Sequence, residues 1–188
     1  PDEAIVYMAH WDHLGKHEGA EGDNIYNGAV DNATGVAGII EIAEAMRKAP
    51  TPPKRSVLFL AVTLEESGLL GSKYYVAHPV IPLDKTVAVV NLDAMAPIGK
   101  ARDITVVGKG SSELEDLLTP VLARQKRIIA GESNTAAGYY FRSDHFNFAK
   151  AGVPALYLDS GNDLLEGGSA AGDAAGKDYT DNRYHKPG

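Results

Sequence analysis

The chain alternates short, continuously apolar runs with polar turns, and several of the runs end in imidazole or carboxylate side chains. Residues 4–9 lead into His10-Trp11-Asp12-His13, residues 56–62 into Thr63-Leu64-Glu65-Glu66, and residues 86–92 into Asp93. Apolar runs this short and β-branched, without strict alternation, predict strands buried on both faces, the pattern of a parallel sheet. Further strands are predicted over residues 103–108 and 151–158. Helices are predicted over 36–47, 68–77, 111–126 and, briefly, 142–149. The first of these is apolar almost all round and is expected to pack deep against a sheet. In the third, Leu114, Leu117, Leu118, Val121 and Leu122 keep helical spacing, and Pro120 within that pattern predicts a kink or a late break. Residues 16–26 and 133–141 read as loops. Residues 159–177 are rich in Gly, Ala and Asp without periodicity, which predicts a mobile loop over a site or a disordered excursion.

Three of the strands deliver His or carboxylate to one edge, and in a parallel α/β sheet the carboxyl edge is where ligands bind. Glu65 and Glu66 are adjacent, so their side chains point in different directions and can divide a task, one ligating a metal while the other handles a proton. A solvated acidic turn is the plainer reading of the same pair. His10 and Asp12 stand two apart on extended backbone and share a face, so the Asp12 carboxylate can accept from the far nitrogen of a ligating His10. A strand-end histidine with an ordinary hydrogen bond is the alternative there. Trp11 and His13 read as cleft lining. Asp31 and Asn32 precede the helix at 36–47, where either can cap it, and where the Asp31 carboxylate could instead bridge two cations. Ser143 or Asp144 is a plausible cap for the short helix that follows them.

A length of 188 residues suits one domain with a full core. The net charge of -7 argues against nucleic acid as a partner, which would call for clustered Lys and Arg. The chain has no cysteine, which removes disulfides, thiolate metal sites and cysteine nucleophiles together. Any metal must then be held by His and carboxylates. No apolar run is long enough to predict a transmembrane segment, and the opening residues lack a signal-peptide pattern.

Six motifs stand in order along the chain: His10-x-Asp12, Val30-Asp31-Asn32-Ala33-Thr34-Gly35, Glu65-Glu66-x-Gly68-Leu69-x-Gly71-Ser72, Asn91-x-Asp93, Ser143-Asp144-His145 and Tyr184-His185-x-Pro187. Together they resemble the M28 family of zinc aminopeptidases over residues 4–187. The resemblance implies an α/β three-layer sandwich, in which helices flank a mixed, mostly parallel central sheet. It implies one metallopeptidase catalytic domain over residues 1–188, lacking the upstream strands and last helix that members usually carry, with His185 on a poorly anchored tail. It also implies peptide substrates, export from the cell and two Zn²⁺ ions per chain. Asp31 would bridge the ions, His10 and Asp93 would complete one, and Glu66 and His185 the other. Glu65 would be the general base and Asp12 would orient His10. Ser143, Asp144 and His145 match a motif of many bacterial members and are expected to line or support the cleft. Nitrogen and oxygen donors of this kind suit zinc, and ions about 3.5 to 4 Å apart form the two-metal sites of aminopeptidases. Glutaminyl cyclases, which typically bind one zinc and cyclise, share this scaffold and stay open as an alternative, as does an inactive binding relative.

Overall fold

The structure, a computed structural model, describes residues 2–19 and 21–187. In chain order it contains β1 (Ala4–His10), a hairpin of β2 (Gly15–Lys16) and β3 (Ile25–Tyr26), α1 (Thr34–Lys48), β4 (Ser56–Val62) and α2 (Leu70–Ala77). There follow β5 (Thr86–Leu92), β6 (Asp103–Val107), α3 (Leu114–Arg124), β7 (Ile128–Gly131), α4 (His145–Lys150), β8 (Ala155–Asp159) and α5 (Gly168–Asn182). Six strands form one sheet in the order β4-β1-β5-β8-β6-β7. The first four run parallel, and β6 turns antiparallel against β8. The expected mixed, mostly parallel sheet is therefore present.

Alternation along the strands builds two cores. Val6 and Met8 of β1 and Val89 of β5 point to one side, where they pack with Tyr75 of α2 and Phe148 of α4. Tyr7 and Ala9, with Val90 and Leu92, point to the other, against Ile39 of α1. Leu58, Leu60 and Val62 of β4 join the first core and Phe59 the second, and strands covered on both faces read as unbroken apolar runs, which is why β1, β4 and β5 were legible. Helices thus cover both sides of the sheet, giving three layers.

The helix at 34–48 departs from expectation: only Gly35 and Ile39 are fully buried, and Ile40 is 60% exposed. As an outer layer it needs one apolar stripe against the sheet. The predicted loop at 16–26 contains the small β2–β3 ladder. The loop or disordered excursion expected over 159–177 is corrected more sharply, since residues from Gly168 onward form α5. Alanine supports a helix without hydrophobic periodicity, and that is what the composition concealed. β7 was not anticipated; it is a short edge strand beside β6. α3 runs through Pro120 to Arg124. Asp116 and Pro120 lie on its exposed face, so the carbonyl that Pro120 leaves unpaired can turn to water.

Phe148 is wholly buried, its ring 5.6 Å from that of Tyr75. Phe148→Ala is expected to lower stability by about 3 to 5 kcal/mol, read from the midpoint of urea unfolding. A loss below about 1 kcal/mol would contradict this packing.

Candidate metal centre

β1 and β4 end level, with His10 opposite Val62, and this register brings the residues that follow each strand to one edge. Past β4 the chain reverses in a compact turn, closed by Leu70 N–H to the Leu64 carbonyl and Gly71 N–H to the Thr63 carbonyl, both 3.0 Å. A Cβ at residue 71 would stand 2.2 Å from that Thr63 oxygen, so glycine is required for α2 to begin this close to the strand. The turn aims the adjacent glutamates apart. Glu66 reaches Asp31 and His185, whereas Glu65 lies under the influence of Asp93 and His10.

Between β3 and α1 the backbone leaves helical geometry at Asp31 and Asn32, and the peptide bond joining them is cis. Asn32 is buried and fully tied down. Its Oδ1 accepts from Gly35 N–H at 3.0 Å and Ala94 N–H at 3.2 Å, and its Nδ2 donates to the Leu92 carbonyl at 2.9 Å. Asn32 thus serves the start of α1, leaving the Asp31 carboxylate free to face the edge of the sheet.

The five expected metal-binding residues converge. His10 Nε2 lies 3.1 Å from Asp93 Oδ1 and 3.2 Å from Asp31 Oδ1. His185 Nε2 lies 3.3 Å from Asp31 Oδ2 and 3.2 Å from Glu66 Oε2. Asp31 accordingly turns one oxygen to each half of the site. Two sets of side chains could hold a cation, His10 with Asp31 and Asp93, and His13 with Asp31 and Glu66. The second set brings in His13, which the sequence reading left as cleft lining. Its Nδ1 is 2.6 Å from Glu66 Oε1.

Asp12 holds His10 in a different way from that expected. His10 Nδ1 meets the Asp12 main-chain carbonyl at 3.0 Å, while the carboxylate is 3.7 Å away. The Asp12 Oδ1 accepts instead from the Glu65 N–H at 3.4 Å. β1 stops at His10, so the extended geometry that would have put both side chains on one face does not reach residue 12. His185 is also better held than a loose tail. Arg183 and Tyr184 N–H groups both return to the Tyr179 carbonyl of α5, and the Tyr184 ring stacks on His185 at 3.9 Å.

Ser143 and Asp144 do not cap α4 with their side chains. Ser143 Oγ donates to Asp93 Oδ2 at 2.5 Å and accepts from Asn91 Nδ2 at 2.7 Å, fixing the carboxylate oxygen that does not face His10. Asp144 Oδ1 accepts from Ser72 Oγ at 2.5 Å. His145 is completely buried against the rings of Tyr140 and Tyr157, with neither ring nitrogen hydrogen-bonded among the described residues.

Burial and charge shape the proton affinities. Burial would lower the His10 pKa, but the Asp31 and Asp93 carboxylates outweigh it and raise the value to about 11. Burial pushes up the carboxyls, Glu65 to about 9 with the Asp93 charge adding to it, and Glu66 to about 7. Asp31 runs the other way, because the His10 imidazole overcomes its burial and holds it below the usual value. Such a cluster of opposed shifts at the edge of a sheet marks a functional centre.

Residues 1–188 match the model of peptidase family M28. This chain is a member of that family. It is 31% identical to leupeptin-inactivating enzyme 1 of Streptomyces exfoliatus over 89% of its own length and 38% of the relative's. It is 29% identical to a probable lipoprotein aminopeptidase, LpqL, of Mycobacterium tuberculosis, with 85% of this chain and 34% of that one covered. The chain therefore spans just over a third of these curated relatives. The crystal structure of LapB from Legionella pneumophila superposes with a TM-score of 0.65 at 28% identity, covering 85% of this chain and 41% of LapB.

The buried imidazole next to this M28 site generates a pH dependence. Burial lowers the His145 pKa from 6.5 to about 4, so between those values the unfolded chain binds a proton that the folded one refuses. Stability is then full above pH 6.5 and falls as the pH drops through the window, by about 3 kcal/mol. His145→Phe is expected to flatten that part of the profile in urea unfolding measured from pH 7 to 4. An unchanged slope would contradict the assignment.

Proposed function

We propose that this chain is a co-catalytic two-zinc hydrolase that removes residues from the amino termini of peptides, with Glu65 as the general base. The geometry of the donor atoms is the observation that carries the reading. Two ligands about 2.0 to 2.1 Å from a tetrahedral zinc stand about 3.3 Å from each other. The four nitrogen–oxygen separations around Asp31 are 3.1 to 3.3 Å, two in each half of the site. Asp31 Oδ1 and His185 Nε2 are moreover shielded from water without a hydrogen-bond partner among the described residues, although neighbours stand at these distances. Buried polar atoms are rarely left this way, and a cation bound beside these two would account for it. Neutral imidazole with carboxylate is a donor set that zinc accepts.

His10 and Asp93 would hold one ion, Glu66 and His185 the other, and Asp31 both. Bound zinc would supply a water acidified to a pKa of about 7 and a polarised scissile carbonyl. Glu65, its proton affinity raised by burial, would be kept ionised by the cations beside it, accept the proton of the attacking water and return it to the leaving amine. Ser143 and Asn91 keep Asp93 from swinging away, and the Asp12 carbonyl sets the ring plane of His10. Since His10 holds a proton tightly beside Asp31 and Asp93, uptake of metal must displace it and weakens as the pH falls. The aminopeptidase in the name of LpqL agrees with a peptide substrate, and the lipoprotein in that name with export. Among the described residues no helix is long and apolar enough to cross a membrane.

Glu65→Gln should retain both zinc ions by elemental analysis yet lower kcat on a chromogenic N-terminal amide by about 10² to 10⁴. His10→Ala, Asp31→Ala and His185→Ala should lose zinc as well. Near-parental turnover in Glu65→Gln removes the base assignment. One zinc together with a cyclised product would replace the hydrolase reading by that of a glutaminyl cyclase.

A further inference from the structure

One imidazole beside the ligand set has no role in the reaction as described. His13 follows β1 and precedes the β2–β3 hairpin, and its side chain is 10% exposed. Its ring meets that of His185 edge-on, with centroids 5.6 Å apart. Behind it the chain returns from the hairpin through Gly28 at φ +66. A Cβ there would stand 2.8 Å from His13 Cβ and 2.9 Å from the Asp31 carbonyl oxygen, so the bare backbone at residue 28 is what lets His13 seat against the segment that delivers Asp31. His13 is thus wedged between the backbone leading to the bridging aspartate and the Glu66 carboxylate.

That contact divides the two oxygens of Glu66. Oε1 takes His13 Nδ1 at 2.6 Å, and Oε2 faces His185 Nε2 at 3.2 Å. As a metal ligand Glu66 is ionised and only accepts, so the proton of this bond then sits on His13 Nδ1. A bond from an imidazole N–H to a carboxylate is of the charge-assisted kind, stronger than one between neutral groups. A carboxylate can bind a cation through one oxygen or two, and a donor held on one of them favours ligation through the other.

We infer that His13 is a positioning residue of the second metal site: its Nδ1–H occupies Glu66 Oε1, so Glu66 ligates through Oε2 alone and a coordination position stays open for substrate. The inference rests on the two-zinc reading. It assigns His13 to the outer shell of the Glu66 site, where such donors typically govern metal affinity by about 10- to 100-fold.

The test is zinc titration of the full chain by calorimetry, with cobalt(II) substitution at the second site followed by visible absorption. The parent should take up two zinc ions in distinguishable steps. His13→Ala should leave the first step intact and weaken the second by about 10- to 100-fold. Its cobalt absorption should also lose intensity as Glu66 becomes free to ligate through both oxygens and the coordination number rises. His13→Asn puts an amide nitrogen where Nδ1 stood and should restore the second affinity to within about threefold of the parent, together with the parental spectrum. Thermal melts of both variants verify folding, and the asparagine variant carries the test if the alanine one fails to fold. A second step unchanged in His13→Ala overturns the inference. So does an asparagine variant as weak as the alanine one, which would make the imidazole itself a ligand. A parent that binds fewer than two zinc ions overturns the two-zinc reading instead, on a measurement in which His13 is untouched.

Discussion

The site is built on the crowding of carboxylates at one end of a parallel sheet. Asp31, Glu65, Glu66 and Asp93 are drawn together where solvent is scarce, and two like charges about 4 Å apart repel by about 4 kcal/mol at an effective dielectric of 20. Part of that repulsion is offset by His10, whose pKa the carboxylates raise to about 11, and part by Glu65, whose own pKa is pushed up to about 9. A pair of cations at the same place would relieve the repulsion more fully. The arrangement of Asp31, with one oxygen beside His10 and the other beside His185, would let one residue serve both.

The layers around the site hold these charges in place against their repulsion. Matched ends of β1 and β4, the tight turn closed at Gly71, and Asn32 bonded to three backbone groups leave the ligands little freedom to spread. Ser143 and Asn91 perform the same service for Asp93 from the far side. A constellation fixed in this way is what electrostatic preorganisation requires of a catalytic site.

Much of this could be read along the chain, for identifiable reasons. β1, β4 and β5 are unbroken apolar runs because both of their faces are covered, and the polar residue that ends each run marks the edge where chemistry collects. The five positions proposed as ligands came from the resemblance that the motif order carries, and all five lie at that edge. α5 was hidden because its alanines and glycines carry no stripe, and β7 because an edge strand of four residues leaves little pattern. The spacing of His10 and Asp12 correctly paired the residues but could not tell a main-chain oxygen from a side-chain one, which depends on where the strand stops. His13 was in view as a polar residue just past a strand end. Only the fold shows that it meets Glu66, from a position 53 residues earlier in sequence.

The central claim is that one aspartate serves two cations. Anomalous scattering at the zinc absorption edge, from crystals grown with the metal, tests it most directly. The account predicts two peaks astride the Asp31 carboxylate, one bounded by His10 and Asp93 and the other by Glu66 and His185. A single peak, or peaks that leave Asp31 out of their coordination, would contradict it.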